Sequence, residues 1–191
     1  MKSLGVILAG GGSRRMGGHD KALAALHDRR LVDIVFQRIS SHTDQVIISG
    51  KNDYGLNIPA VPDDVKWPGG PVGGIFSVYQ WVRSTGAKID GLLTIPVDGP
   101  RFPEDLGLRL IGSRSAIAAV GDRLHPTFAW WALSDLDHLA PDVASGSLDS
   151  LKALAKRAGA VSVYWDDPRI FANINTPSDL EDWNKTDRAT P

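Results

Sequence analysis

Short apolar runs alternate with amphipathic stretches along this chain, and this alternation constrains the fold more than any other feature. The apolar runs have the length of buried strands and lie at 4–8, 46–48, 58–61, 92–95, 116–120, 127–131 and 161–164. Helical spacing of apolar residues falls between them, at 31–39, 74–83, 102–111, 133–139 and 148–158. Strands that alternate with helices pair in parallel through helical crossovers. The pattern therefore predicts an α/β fold with a mostly parallel sheet.

The length of the chain indicates one domain. A chain of 191 residues with 42% hydrophobic and 23% charged residues has the balance of an ordinary globular protein. The last predicted helix starts after Thr176, because Pro177 suits a first helical position and Asp179 places negative charge in the first turn. We expect a single domain over residues 1–184 and a flexible tail over residues 185–191.

Composition excludes several classes of function. The chain has no cysteine, which rules out disulfides, thiolate metal sites and a cysteine nucleophile. Its net charge of −1 gives no general attraction to nucleic acid or to an anionic membrane. No apolar run reaches the length of a signal peptide or a transmembrane segment. We expect a soluble cytoplasmic protein without nucleic-acid or membrane partners.

A glycine-rich loop follows the first predicted strand directly. Residues 8–21 read Leu-Ala-Gly-Gly-Gly-Ser-Arg-Arg-Met-Gly-Gly-His-Asp-Lys. Ligands bind at the carboxyl edge of open α/β sheets, and glycines there let backbone N–H groups approach phosphate oxygens. Arg15 and Lys21 would add the positive charges that a triphosphate needs. The spacing fits neither a P-loop nor a dinucleotide fingerprint, so a flexible loop with solvated arginines stays an alternative.

Asp98 follows another buried strand and lies between two prolines, Pro96 and Pro100. The prolines restrict its backbone, and a carboxylate at the carboxyl edge of a sheet suits a hard cation. Mg²⁺ takes only one or two protein carboxylates and leaves its other positions to phosphate and water. The alternative is that Asp98 only caps the turn before Pro100.

The glycine loop and five later blocks resemble one family. Leu-Ala-Gly-Gly-x-Ser-x-Arg-Met-Gly, followed shortly by Asp-Lys, resembles the signature of the molybdenum cofactor guanylyltransferases. The later blocks are similar to the family's in the same order. They are Val-Pro-Asp at 61–63, Gly-Pro-Val-Gly-Gly at 70–74, Ile-Pro-Val-Asp-Gly-Pro at 95–100, His-Pro-Thr at 125–127 and Asn-Ile-Asn-Thr-Pro at 173–177.

The resemblance implies a three-layer, Rossmann-like domain of the nucleotide-diphospho-sugar transferase type. It implies Mg²⁺-dependent transfer of GMP from GTP to the phosphate of molybdopterin, or of its molybdenum-loaded form, with release of pyrophosphate. GTP and molybdopterin would be the small-molecule partners. Transient contacts with cofactor-delivery proteins or molybdoenzymes would follow from that role.

The resemblance also implies roles for individual residues of this chain. The implied nucleotide-binding residues are Leu8, Ala9, Gly10, Gly11, Gly12, Ser13, Lys21, Ser49, Asp63 and Asp98. The implied catalytic residues are Arg15, Lys21 and Asp98, with Asp98 as the ligand of Mg²⁺. His125, Asn173 and Asn175 would bind substrate: the two asparagines near the pterin acceptor or the reacting phosphates, and His125 on the acceptor side, although a histidine after a turn is more often structural. Ser49 stands where these enzymes tend to have asparagine, and Asn52 lies close by, so either can replace it.

Three alternative functions stay open. Two keep the chemistry and change the substrate: cytidylyl transfer to molybdopterin, and nucleotidyl transfer to a sugar phosphate. Leu-Ala-Gly-Gly at 8–11 favours the guanylyl branch, because the cytidylyl relatives usually read Leu-Ala-Ala-Gly. The third is a catalytically inactive GTP-binding module, against which the joint presence of Arg15, Lys21 and Asp98 argues.

Overall fold

A computed structural model describes residues 1–10 and 20–186 of the chain. The strands of this part are β1 (Ser3–Leu8), β2 (Ala25–Leu26), β3 (Arg29–Arg30), β4 (Gln45–Ser49), β5 (Ala60–Val61), β6 (Gly91–Pro96), β7 (Ala116–Val120), β8 (Arg123–Ala132) and β9 (Val161–Tyr164). The helices are α1 (Leu31–Ser40), α2 (Pro71–Thr85), α3 (Leu106–Leu110), α4 (Leu133–Ala144), α5 (Leu151–Arg157) and α6 (Pro177–Thr186). Two 3₁₀ turns lie at Lys21–Leu23 and Pro168–Phe171.

Seven strands form one sheet in the order β5-β4-β1-β6-β8-β7-β9. β8 runs antiparallel to β6 and β7, and the other neighbouring pairs are parallel. The prediction of a mostly parallel sheet is confirmed. β1 pairs with β4 on one side and β6 on the other, and all six of its residues are buried. The strand that precedes the glycine-rich loop is therefore an interior strand of the sheet, next to the middle strand β6.

Helices cover both faces of the sheet and make a three-layer domain. Ile75 of α2, Leu136 of α4 and Leu154 of α5 belong to one apolar core, and Val35 of α1 and Leu106 of α3 belong to the other. The adjacent Trp130 and Trp131 of β8 are fully buried in different cores, because successive side chains of a strand point to opposite faces. The sequence-based α/β assignment is thus confirmed.

Some elements differ from their predicted bounds. α2 starts at Pro71 rather than at residue 74, because proline fits the first position of a helix. The helix predicted over 102–111 is confined to Leu106–Leu110, since Pro103 keeps the backbone of Phe102 out of the helical region. The hairpin β2–β3 was not predicted. Its turn residues His27 and Asp28 have φ values of 48° and 63°, a pattern that usually requires glycine or asparagine.

The last helix begins at Pro177, as predicted. Asp179 N–H donates to Thr176 Oγ1 at 3.1 Å, and Thr176 N–H donates to Asp179 Oδ2 at 2.9 Å. This reciprocal cap fixes the start of α6. The helix includes Lys185 and Thr186, which we assigned to the tail, and residues 187–191 lie outside the described part. Within residues 1–10 and 20–186, no helix has both the length and the apolar character that crossing a membrane requires.

Candidate active site

A cleft of about 240 Å³ opens at the carboxyl ends of β1 and β6, the two central parallel strands. Leu8 and Pro96 are register partners at these ends, so the loops that follow both strands leave the sheet side by side. The described residues that line the cleft are Leu8, Ala9, Gly10, Asp20, Lys21, Pro71, Pro96, Val97, Asp98, Thr127 and Asn173. Strand ends of this kind are where open α/β sheets bind ligands.

Lys21 and Asp98 meet in this cleft, although they lie 77 positions apart in the sequence. Lys21 Nζ donates to Asp98 Oδ2 at 2.9 Å and to Asn175 Oδ1 at 3.2 Å. The two charged side chains are only 20% and 18% exposed. Asp98 is held through its backbone, because its carbonyl accepts from Ile174 N–H at 2.7 Å. The structure therefore brings three predicted site residues together from three separate segments.

The other side of the cleft joins the end of β1 to the end of β4 and to the segment after β5. Ala9 N–H donates to Ser49 O at 3.0 Å. A Cβ atom on Gly10 would lie 3.5 Å from Asp63 Oδ2, so the Asp63 carboxylate faces Gly10. Gly10 thus lines the cleft without a side chain, and Asp63 stands directly behind it without being among the described lining residues.

Ser49 reaches this region through its backbone rather than its hydroxyl. The residue is 1% exposed, and a Cβ on Gly74 would lie 2.4 Å from Ser49 Oγ. The side chain is therefore packed between β4 and α2, and Ser49 is not among the described residues that line the cleft. Asn52, the other candidate for the family's asparagine, is exposed in the loop after β4.

Asp20 is a cleft residue to which sequence reasoning gave no role. Its Oδ1 accepts from Ala22 N–H at 3.0 Å and caps the 3₁₀ turn that carries Lys21. Its Oδ2 accepts from Tyr54 Oη at 2.9 Å. Burial and the Asp20 carboxylate raise the pKa of the Tyr54 hydroxyl above its ordinary value, so this hydroxyl stays a donor. In the sequence the Asp-Lys pair enters only as part of the family resemblance, and nothing there points to Tyr54.

The two asparagines near the start of α6 lie on the same side as Asp98. Asn173 lines the cleft, and its buried Oδ1 accepts no hydrogen bond from the described residues. Asn175 accepts from Lys21, and its own N–H donates to Asp179 Oδ2 at 2.8 Å. Hydrogen bonds from the backbones of Asn175 and Thr176 hold the pKa of the Asp179 carboxyl below its usual value. Asp179 therefore anchors this segment as a carboxylate.

His125 belongs to an aromatic cluster rather than to the described lining of the cleft. Its ring centroid lies 5.0 Å from that of Phe171 and 6.5 Å from that of Phe128. Burial, together with the nearby Arg123, lowers the pKa of the imidazole, so the ring is neutral at pH 7. This is the structural environment that the sequence left open as an alternative for His125.

The cleft offers oxygen ligands for a hard cation but no complete metal cage. Residues 1–10 and 20–186 contain no cluster of three or more His, Asp or Glu side chains that would hold a metal by themselves. Asp98 supplies a carboxylate, and the unpartnered Asn173 Oδ1 supplies an amide oxygen on the same wall. This donor set fits Mg²⁺ when phosphate and water complete its coordination. Gly11, Gly12, Ser13 and Arg15 lie outside the described residues.

The comparison with known proteins gives consistent matches over nearly the whole chain. The family model described as "MobA-like NTP transferase domain" matches residues 5–165. A protein of Cereibacter sphaeroides named molybdenum cofactor guanylyltransferase is 37% identical over 187 residues, which cover 94% of each chain. One with the same name from Acidiphilium cryptum is 35% identical, covering 92% of this chain and 91% of the relative.

Solved structures share the fold at lower identity. Molybdopterin-guanine dinucleotide biosynthesis protein A from Archaeoglobus fulgidus superposes with a TM-score of 0.72 at 20% identity, covering 98% of this chain and all of the other. The 2-C-methyl-D-erythritol 4-phosphate cytidylyltransferase of Thermus thermophilus superposes with a TM-score of 0.66 at 15% identity, covering 96% of this chain and 98% of the other. At these identities the likeness concerns the fold alone.

Proposed function

The chain belongs to the MobA-like NTP transferases, and from this premise we propose that it transfers GMP from GTP to the phosphate of molybdopterin, or of its molybdenum-loaded form. The observation that carries the proposal is the meeting of Lys21, Asp98 and Asn175 at the carboxyl ends of the central strands. The curated relatives that match nearly the full length are named molybdenum cofactor guanylyltransferases, which supports the choice of nucleotide and acceptor.

In the proposed reaction, an oxygen of the acceptor phosphate attacks the α-phosphorus of GTP. The new P–O bond forms as the bond to the bridging oxygen of the β-phosphate breaks, and pyrophosphate leaves. The attacking phosphate is already ionised near pH 7, so the protein needs neither a nucleophile nor a general base. Its tasks are to place the two substrates in line and to neutralise negative charge.

Lys21 is suited to the second task. Its ammonium lies in a partly buried cleft, where a charge acts more strongly than in bulk water. A triphosphate carries more negative charge than Asp98 and Asn175 together, so Lys21 turns from these residues toward the phosphates when GTP binds. Arg15 would add a second cation, as the family resemblance implies.

The nucleoside would bind at the opposite side of the cleft. The segment Leu8 to Gly10 offers backbone groups at the end of β1, and the Asp63 carboxylate faces Gly10. Guanine presents N–H donors on its base-pairing edge, and a carboxylate accepts such donors. This arrangement supports purine binding beside Gly10, with the Asp63 carboxylate as a nearby acceptor.

Asp98 would hold Mg²⁺, with Asn173 Oδ1 as a further oxygen on the same wall. When bound, Mg²⁺ would neutralise phosphate charge and polarise the reacting phosphoryl group. Asn175 would orient the phosphates after Lys21 leaves it. Asp179 would keep Asn175 in place through the backbone hydrogen bond described above.

The proposal is tested by a matrix of nucleotides and acceptors. The purified protein is incubated with Mg²⁺, with GTP or CTP, and with or without molybdopterin or a sugar phosphate. Mass spectrometry identifies the product, and released pyrophosphate is measured. We expect a GMP adduct and pyrophosphate only when GTP and molybdopterin are both present. A preference for CTP or for a sugar phosphate would move the protein to a neighbouring activity, and GTP binding without any product would make it a binding module.

A further inference from the structure

We infer that Tyr54 and Asp20 are positioning residues for the nucleotide: a single hydrogen bond between them couples the loop between β4 and β5 to the turn that presents Lys21. The inference rests on the proposed function, because it assigns these residues an effect on GTP binding. Neither residue carries a role in the reaction described so far.

Asp20 uses both carboxylate oxygens at the same time. Oδ1 accepts from Ala22 N–H at 3.0 Å, which fixes the start of the 3₁₀ turn Lys21–Leu23. Oδ2 accepts from Tyr54 Oη at 2.9 Å. Because Lys21 is the next residue in the chain, the direction in which its side chain leaves the backbone depends on how Asp20 is held.

Tyr54 is held in turn by the structure behind it. Its φ of 55° lies in the left-handed region, which non-glycine residues rarely adopt unless their surroundings enforce it. Its carbonyl accepts from Arg30 Nη1 at 2.9 Å, and Arg30 forms a two-bond pair with Asp33 of α1 at 2.6 and 2.7 Å. The phenol is half-buried, and Asn52 also interacts with its hydroxyl. Tyr54 is thus held in place by Arg30, which is itself bound to α1.

The hydrogen bond between Tyr54 and Asp20 holds the backbone of the turn while other residues attract the Lys21 side chain. Asp98 and Asn175 attract the ammonium toward the β6 side of the cleft. A turn with a loose start would let its backbone move with the side chain, so the ammonium would have no fixed position from which to reach the phosphates. The Tyr54–Asp20 bond joins segments 34 residues apart and prevents this movement. The loop that carries Tyr54 starts directly after Ser49, whose carbonyl contacts Ala9 at the nucleoside end of the cleft. The two ends of the nucleotide site are therefore mechanically connected.

The test compares two tyrosines. Tyr54→Phe removes the bond to Asp20 and leaves the ring in place. Tyr79→Phe is a matched control, because Tyr79 Oη donates to Asp137 at 2.8 Å on the surface of α2, and neither residue is among those described as lining the cleft. Calorimetric titration with GTP measures affinity, and thermal unfolding reports the integrity of each variant. We expect Tyr54→Phe to weaken GTP binding by about three- to tenfold, with no change for Tyr79→Phe.

A double-mutant cycle separates positioning from general destabilisation. If Tyr54 acts through Lys21, Tyr54→Phe has little further effect on GTP affinity in a Lys21→Ala background. Asp20→Asn keeps an oxygen for Ala22 N–H and an amide for the Tyr54 hydroxyl, so it is expected to retain more affinity than Asp20→Ala. If Tyr54→Phe does not fold, this pair tests the two hydrogen bonds of Asp20 together, and GTP affinity of Asp20→Ala equal to that of the wild type overturns the inference.

Two results overturn the inference alone, in a wild-type protein that binds GTP. One is a Tyr54→Phe variant whose GTP affinity equals that of Tyr79→Phe. The other is a cycle in which the effects of Tyr54→Phe and Lys21→Ala multiply in full. A wild-type protein that binds no GTP overturns the proposed function and this inference with it.

Discussion

At the scale of single residues, Lys21 and Asp98 form an ion pair within the cleft. Each side chain neutralises the other, and both are mostly shielded from water. Removal of either one leaves an uncompensated charge beside Asn175, and such a charge attracts or repels phosphate according to its sign. Substitution of Lys21 therefore tests the positive member of the ion pair, and substitution of Asp98 tests the negative member.

Lys21→Ala should lower kcat/KM for GTP by about ten- to a hundredfold, because charge-assisted hydrogen bonds to phosphate contribute roughly 1.5–3 kcal/mol each. Lys152→Ala removes an exposed lysine from α5 and serves as the control. Steady-state kinetics of both variants check the expectation. Equal kcat/KM values for the two variants would mean that Lys21 does not contact the phosphates.

Asp98→Asn should cut turnover at least tenfold, because a neutral amide binds a hard dication less well than a carboxylate and cancels none of its charge. The activity is measured across a range of Mg²⁺ concentrations. Asp142→Asn is a suitable control, since Asp142 forms an ion pair with Arg157 at 3.3 Å on the surface. Wild-type turnover of Asp98→Asn at limiting Mg²⁺ would remove Asp98 from the metal site.

Gly10→Ala should weaken the preference for GTP over CTP. The added methyl would lie 3.5 Å from Asp63 Oδ2, an ordinary contact distance, so the fold accepts it. The methyl enters the space where we place the base and crowds guanine more than cytosine, by an amount of ~1–3 kcal/mol. The ratio of the two kcat/KM values measures the effect. An equal loss for both nucleotides would assign Gly10 to backbone conformation.

At the scale of elements, the close approach of α2 to the end of β4 shapes the nucleoside side of the cleft. A Cβ on Gly73 would lie 1.8 Å from Pro68 O, and one on Gly74 would meet the buried Ser49 side chain. The start of α2 therefore requires two glycines, although glycine lowers helix propensity. These glycines allow α2 to pack tightly against Pro68 and Ser49, close to Asp63.

Gly74→Ala should lower both thermal stability and GTP affinity. Its Cβ would lie 2.4 Å from Ser49 Oγ and 3.5 Å from Asp63 Oδ1, so Ser49 must shift. Overpacking of this kind costs about 1–3 kcal/mol and outweighs the gain of roughly 1 kcal/mol in helix propensity. Gly69→Ala, where a Cβ meets no atom within 4 Å, is the control. A Gly74→Ala protein as stable as Gly69→Ala would show that this contact is not tight.

The sequence predicts the seven strands of the sheet and the residues that follow strand ends, but not the hairpin β2–β3 or the exact bounds of α2 and α3. Alternating apolar runs predict the sheet, and because parallel strands end at the same edge, Lys21 and Asp98 are expected near each other. The role of Tyr54 is different in kind. The positioning role that we infer for this tyrosine depends on its left-handed backbone and on a hydrogen-bond partner 34 residues away. No local sequence pattern predicts either feature. The burial of the Ser49 hydroxyl likewise depends on α2, which comes later in the chain.

At the scale of the whole molecule, two histidines, the buried His125 and the partly buried His42, make stability depend on pH. Burial lowers the pKa of His42 and of His125, while the unfolded chain binds protons near the ordinary value of about 6.5. The unfolded state therefore binds more protons as the pH falls below that value. Stability is fully present above pH 6.5 and declines as the pH falls toward the lowered values.

We expect the free energy of unfolding, measured with urea, to be smaller at pH 5.5 than at pH 7.5. His125→Phe keeps an aromatic ring beside Phe128 and Phe171 and removes one of the two groups, so its decline should be shallower. His138→Gln changes an exposed histidine of α4 and is the control. If the free energy of unfolding falls as steeply with pH in His125→Phe as in His138→Gln, the buried imidazole is not responsible for the pH dependence.

The interior position of β1 also has a consequence during synthesis. This strand leaves the ribosome before both of its partners, β4 and β6, and the second of them is complete only at Pro96. At roughly 5–20 residues per second, translation of that interval takes on the order of ten seconds. During this time the six buried residues of β1 lack at least one of their two neighbouring strands. The nascent chain is therefore most exposed to aggregation, and most in need of a chaperone, through the segment that later becomes the best protected part of the sheet.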